Sequence, residues 1–193
     1  SAASDVYKRQ EIMKGDIAEA KLFNPDFIIA NMHWGLEYER IPSREQRELA
    51  DWLLRQGVDL VIGSHPHVVQ PMELRRGKEG VTDRLVVYSL GNFISNMSRE
   101  HTDGGVMVKV VLGRKGLRRY IVSAQYSLIY SSRYKNEQGK EDIRVVPAAS
   151  WSGKNQNSSF SVDSALIKYV NNTRLFLKGN NLSLIHISEP TRP

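Results

Sequence analysis

Between Phe27 and Gly63 the sequence spells a strand, a loop, a helix and a second strand, and this unit restricts the fold more than any other feature of the chain. Phe27 to Met32 is a short apolar run. Ser43-Arg44-Glu45-Gln46 has the serine and glutamine of a capping box, Leu49, Ala50, Trp52, Leu53 and Leu54 make one wide apolar face, and Gly57 is the expected stop. The β-branched run that begins at Val58 ends at Gly63. A crossover of this kind joins parallel strands and is almost always right-handed. Parallel strands end on one edge of their sheet, so the polar residues that follow them arrive together.

Those residues are histidines. The first strand runs into His33-Trp34-Gly35-Leu36-Glu37-Tyr38 and the second into Ser64-His65-Pro66-His67-Val68-Val69-Gln70. Alternate residues of an extended segment point the same way, and Pro66 fixes its own φ and biases Ser64-His65 toward extended backbone, so the spacing aims both imidazoles at one point. Together with His33 they read as metal ligands. Neutral imidazole suits zinc, manganese, iron or nickel without choosing among them. Two-metal hydrolytic sites usually add bridging carboxylates. Glu37 and Glu73 are the nearby acids, and each reads as a surface partner, of Arg40 and of Arg75 respectively. Trp34 reads as a packing aromatic, and His101 as an exposed loop histidine outside the ligand set.

Ahead of this unit, Ile17 to Phe23 reads as the end of a short helix capped by Asp16 and stopped before Asn24-Pro25. After it the pattern turns to hairpins. Val68 to Leu74 and Arg84 to Ser89 flank a charged turn at Arg75 to Asp83, while Gly105 to Leu112 and Leu117 to Tyr126 flank Gly113-Arg114-Lys115-Gly116, so mostly antiparallel strands are expected. Leu90-Gly91-Asn92-Phe93 follows a strand, where Asn92 either sits in a simple turn or aims its amide at the site; spacing alone leaves the two even. Ser131 to Asp142 reads as a polar loop, Ile143 to Pro147 as a last short strand, and Trp151 to Ser161 as a Ser/Asn-rich linker. Val162 to Leu177 has helical spacing at Leu166, Ile167, Val170 and Leu175, with Asp163 or Ser161 as cap.

Composition removes several chemistries. A chain of 193 residues with 40% hydrophobic and 25% charged residues fits one ordinary globular domain. It has no cysteine, hence no disulfide, thiolate ligand or cysteine nucleophile. The formal charge of +6 is spread out. Its two small clusters, Arg75, Arg76 and Lys78, then Arg114, Lys115, Arg118 and Arg119, fit solvated hairpin turns, and no nucleic-acid partner is expected. There is no apolar stretch of membrane-spanning length, no phosphate-cradling glycine loop and no serine elbow followed by an acid and a histidine.

Both ends read as foreign to the gene. Leu182 to Arg192 is, codon for codon, a translated transposon-based sequencing adapter, and Ser1 to Gln10 translates its partner, so residues 1–10 and 182–193 are read as non-native. The domain proper is then expected over residues 11–150, with a linker and helix over 151–181, and further coding sequence is expected ahead of Glu11.

His33-Trp34-Gly35 with Glu37, then Gly63-Ser64-His65-Pro66-His67-Val68-Val69-Gln70 with Glu73, and finally Tyr88-Ser89-Leu90-Gly91-Asn92-Phe93 resemble, in order and separation, the bacterial capsule synthesis (CapA, PGA_cap) family of the calcineurin-like metallophosphoesterase superfamily. The likeness covers about Glu11 to Val146. It implies an α/β (α+β) fold, the C-terminal portion of a four-layer αββα sandwich with mixed sheets. It also implies a site with two divalent ions, manganese, zinc or iron. In this likeness His33 corresponds to a single-histidine ligand, His65 and His67 to the paired histidines of a Gly-His-X-His motif whose glycine is Ser64 here, and Asn92 to a residue lining the same site. The earlier Gly-Asp and Asn-containing motifs are expected ahead of Glu11, so the chain is expected to hold half of the site and to bind metal incompletely. The implied function is metal-dependent hydrolysis in capsule or poly-gamma-glutamate biosynthesis at the cell envelope, with the anionic polymer or capsule synthase components as partners. Membrane association would then come only through an earlier segment. Its rivals are a non-catalytic scaffold that binds the polymer and a phosphoesterase unrelated to capsule.

Overall fold

The computed structural model describes residues 2–77, 83–148, 164–180 and 182–184. In chain order the elements are α1 (Ala2–Leu22), β1 (Ile29–His33), α2 (Arg44–Arg55), β2 (Leu60–Ser64), β3 (Met72–Arg75), β4 (Arg84–Val87), β5 (Gly104–Lys115), β6 (Arg118–Lys135), β7 (Glu141–Pro147), α3 (Ser164–Leu177) and β8 (Ser183–Leu184). The fold is α+β, with one mixed and one antiparallel sheet. No described helix is long and apolar enough to cross a membrane.

The mixed sheet has the order β1-β2-β4-β3. β1, β2 and β4 are parallel, with Ile29 opposite Leu60 and Leu60 opposite Leu85, while β3 closes the edge antiparallel to β4. The expected crossover is thus present, and β4 joins it as a third strand running the same way. Alternation along these strands assigns the two faces. Val61 and Val86 turn to Ile17 of α1 and to Ala50 and Leu53 of α2, whereas Leu60, Leu85 and Val87 turn to Val106, Ile121 and Leu128 of the second sheet. That sheet runs β5-β6-β7, with β8 beside β6, and Leu166, Tyr169 and Val170 of α3 share its core.

Local chemistry explains the boundaries. Ser43 accepts from the Gln46 amide and Gln46 Oε1 accepts from the Ser43 amide, so the capping box forms in full; Gly57, at φ +97°, follows the helix end. Asp59, fully buried, accepts from the Ile28 amide and from Arg84 Nη1 at 2.8 and 2.7 Å, which ties together the starts of β1, β2 and β4.

Several expectations need correction. Asp16 does not cap a short helix, because α1 already starts at Ala2 and runs through it; the Lys, Arg, Gln, Glu and Met residues before Asp16 favour helix, and nothing breaks it before Asn24 at φ 48°. The polar loop at Ser131 to Asp142 shrinks to the turn between β6 and β7. Cross-strand pairs such as Ser132 with Arg144, and Arg144 stacked 4.7 Å over Tyr134, hold polar residues in strand. In α3 the buried positions are Leu166, Tyr169, Val170, Thr173 and Leu177, while Ile167 and Leu175 face out. Leu182 is buried and Ser183–Leu184 pair with β6. The linker Trp151 to Ser161, the caps Ser161 and Asp163, and the turn residues 78–82 lie outside the described residues.

Candidate metal centre

Three parallel strands deliver the site. His33 ends β1 opposite Ser64, the last residue of β2; His65 and His67 follow β2; and Tyr88 to Asn92 follow β4. A crowded junction lets these ends approach. A side chain on Gly63 would stand 2.5 Å from Trp34 Nε1 and inside the Tyr88 carbonyl, which is where Trp34 Nε1 donates at 2.9 Å. Trp34 is buried and stacks on Tyr88, the packing role its sequence position suggests. The second sheet fixes Asn92 from the other side: its amide donates to the Gly104 carbonyl, and Gly91, at φ +74°, bridges Gly105.

The two paired histidines converge by a different route from strand alternation. His65 and His67 have φ values of 98° and 60°, left-handed backbone on either side of buried Pro66. The extended backbone expected at residue 65 from the proline that follows is not adopted: the φ of 98° lies outside the range that a following proline favours. Histidine is among the few side chains enriched in that region, and each such residue costs on the order of 1–3 kcal/mol, which the surrounding fold must supply. The resulting turn brings the ring centroids of His65 and His67 to 6.1 Å and lays His65 4.5 Å from His33.

Glu37 completes the group. Its carboxylate and one ring nitrogen each of His65 and His67 lie within 4.8 Å of one another, and Glu37 Oε1 is 3.9 Å from His67 Nε2. His33 stands beside this group, against His65. The expected pairing of Glu37 with Arg40 is absent; Arg40 instead stacks 3.8 Å over Phe176. Glu73 does pair with Arg75, at 2.7 Å, and so stays out of the site. The loop that carries Glu37 is held by a buried amide relay. Gln46, already in the capping box, donates to Gln70 Oε1, and Gln70 donates to the Glu39 carbonyl. The capping glutamine was legible in sequence, but its second task was not, because the relay pairs residues from three separate segments.

Asn92 settles the chemistry of His67. Its Nδ2 donates to the Thr102 carbonyl at 2.9 Å, which commits the amide and turns Oδ1 to His67 Nδ1, 3.0 Å away. Neutral His67 therefore carries its proton on Nδ1 and keeps a lone pair on Nε2, the nitrogen nearest Glu37. Of the two readings open for Asn92, the amide faces the site. His101 is half-buried rather than exposed; burial, reinforced by the charge of Arg40, holds its imidazole below the ordinary range. Nitrogen and oxygen donors of this kind, with the Asn92 amide setting the tautomer of one imidazole, fit a divalent ion such as zinc or manganese.

Residues 1–97 match the family described as bacterial capsule synthesis protein PGA_cap. The chain belongs to that family. It is 34% identical over 113 residues to the PGA biosynthesis protein CapA of Bacillus subtilis (strain 168), covering 58% of this chain and 28% of that protein. It is 35% identical over 98 residues to the capsule biosynthesis protein CapA of Bacillus anthracis, covering 51% of this chain and 22% of the relative. The chain thus spans about a quarter of the length of these curated relatives. The range matched to the PGA_cap family contains His33, Glu37, His65, His67 and Asn92, while Thr102, which orients Asn92, lies beyond it.

Proposed function

We propose that this capsule synthesis family member uses the Glu37, His65 and His67 group to hold a divalent metal ion, and that the protein hydrolyses bonds of an anionic envelope polymer of the poly-gamma-glutamate class. The observation that carries this reading is the closure of one carboxylate and two imidazoles to within 4.8 Å at the ends of parallel strands. Asn92 supports it by leaving Nε2 of His67 free to bind, and His33 adds a further imidazole against His65. Manganese, zinc or iron suit the donors, and the family resemblance suggests a second ion. A bound ion would supply Lewis-acid polarisation of the scissile carbonyl or phosphoryl oxygen and a lowered pKa for bound water. The chain's own part is to hold the donors, to fix the His67 proton on Nδ1, and to place the substrate's anionic group beside them. The polymer follows from the relatives' names, and an envelope location and a place beside capsule synthase components follow with it.

Calorimetric titration of the protein with Mn²⁺ and with Zn²⁺ tests this, alongside turnover of a model phosphodiester and a gamma-glutamyl amide. His67→Ala is expected to weaken metal binding at least about tenfold and to lower any metal-dependent turnover with it. Absence of metal uptake by the unsubstituted protein would sink the reading and leave a non-catalytic, polymer-binding scaffold in its place.

A further inference from the structure

Next to the histidine and glutamate group, two separate chains of contact lead from His67 to the same cation. The first runs through an aromatic ring. Tyr38 has a left-handed backbone, φ 67°, held by its amide donating to the Pro66 carbonyl at 2.7 Å. Its ring stacks on His67 with centroids 6.1 Å apart and planes 28° from parallel, and the guanidinium carbon of Arg99 lies 4.0 Å over that same ring. The second runs through hydrogen bonds. The Arg99 carbonyl accepts from the Thr102 amide at 3.1 Å and from Thr102 Oγ1 at 2.6 Å. Thr102 is fully buried, its carbonyl accepts from Asn92, and Asn92 meets His67.

The side chain and the backbone of one exposed arginine are therefore each tied to the same imidazole. Arg99 itself has no carboxylate partner among the described residues, whereas Arg75, Arg76, Arg84 and Arg114 each pair with an acid. A guanidinium laid over a ring is packed through its face and keeps the N–H donors at its edge free, and that edge matches a carboxylate or phosphate in bidentate fashion. Arg40 also stacks on a ring without an acid partner, but only the Arg99 stack is joined through Thr102 and Asn92 to His67 among the described residues.

We propose that Arg99 is the oxyanion-recognition residue of this site, with Tyr38 as its platform and Thr102 as a positioning residue. It would take the carboxylate or phosphate group of the substrate next to the bond held at the metal group. The assignment rests on the proposed function for where the substrate lies, and it is tested without using turnover.

The measurement is calorimetric binding to the full-length protein of a gamma-linked glutamate oligomer, its uncharged gamma-linked glutamine counterpart and inorganic phosphate, with Mn²⁺ affinity titrated in parallel. Arg99→Ala is expected to weaken the acidic oligomer about 10- to 100-fold, to leave the glutamine oligomer unmoved and to leave Mn²⁺ affinity as it was. Arg99→Lys should recover only part of the loss, because the fork is gone while the charge stays. Thr102→Val should weaken the acidic oligomer as well, through misplacement of residue 99. A parallel loss of phosphate affinity identifies a general oxyanion site; a loss confined to the oligomer identifies a carboxylate site; both support the assignment. If the unsubstituted protein takes Mn²⁺ poorly yet shows the Arg99 effect, the metal reading fails and this one stands. Equal affinity of Arg99→Ala and the unsubstituted protein for the acidic oligomer, or failure of the latter to bind any of the anionic probes, overturns it.

Discussion

At His65 the backbone and the side chain make opposing demands. With φ at 98°, the position favours glycine, yet the imidazole it carries belongs to the metal group. Replacing it by alanine removes the ligand and keeps the strain, while replacing it by glycine removes both. His65→Gly is therefore expected to be more stable than His65→Ala by about 1 kcal/mol, after allowing for the larger unfolded-state entropy of glycine. Urea denaturation of the two variants measures this, and both should lose metal affinity alike. Equal stabilities would mean that the turn relaxes once the imidazole is gone. Asn92 gives a complementary case: Asn92→Ala keeps every proposed ligand but releases the His67 tautomer, and metal affinity is expected to fall about 10- to 100-fold, with a loss of about 1–3 kcal/mol in stability because the carbonyl of buried Thr102 loses its donor.

At the scale of elements, the local rules and the long-range contacts divide cleanly. The capping box at Ser43 and Gln46, the apolar face of α2, the parallel pairing of β1 with β2 and the helix stop before Pro25 all follow from residues close in sequence, and all were legible there. The route by which His65 and His67 converge was not, since positive φ at histidine has no sequence signature comparable to glycine's. Nor was Glu37, whose neighbour Arg40 offered a plausible local partner; only the fold shows Arg40 drawn away to Phe176 on α3. The length of β6 was hidden for the same reason, because its polar residues are held by β7 across the sheet. Gln46 joins both classes of contact. Gln46→Ala removes the glutamine half of the capping box and leaves buried Gln70 Oε1 without its donor, so a loss of about 1–3 kcal/mol is expected, together with weaker metal binding through the Glu37 loop. Ser43→Ala breaks only the cap. It should cost about 1 kcal/mol and leave metal affinity unchanged, and the contrast between the two variants in a combined urea and metal titration isolates the relay.

Across the whole molecule, one apolar core spans both sheets, from Leu60 and Leu85 to Val106 and Leu128, and one acid links their edges. Asp83 is largely buried ahead of β4, where it accepts from the Gly77 amide at 2.9 Å, from the Ile121 amide of β6 at 3.1 Å and from Arg76 at 2.8 Å; Arg76 reaches the Ile121 carbonyl in turn. Burial alone would push this carboxyl up, but the two backbone donors and the arginine outweigh it and hold it below the ordinary aspartate value. A depressed acid stabilises the fold fully above its unfolded pKa, near pH 4, and that contribution is lost as pH falls through the lower folded value. The urea midpoint should accordingly drop on acidification below about pH 4. Asp83→Asn should lower the midpoint at pH 7, by about 1–3 kcal/mol in stability, and flatten its acid dependence. In a Trp151→Phe variant, Trp34 and Trp52 report the mixed-sheet side by fluorescence, while far-ultraviolet circular dichroism reports both sheets. With a shared core the two signals should move together in that variant at every pH. A fluorescence transition that separates from the dichroism would show that the sheets unfold independently, and that the contacts of Asp83 and the apolar core between them do not couple the molecule.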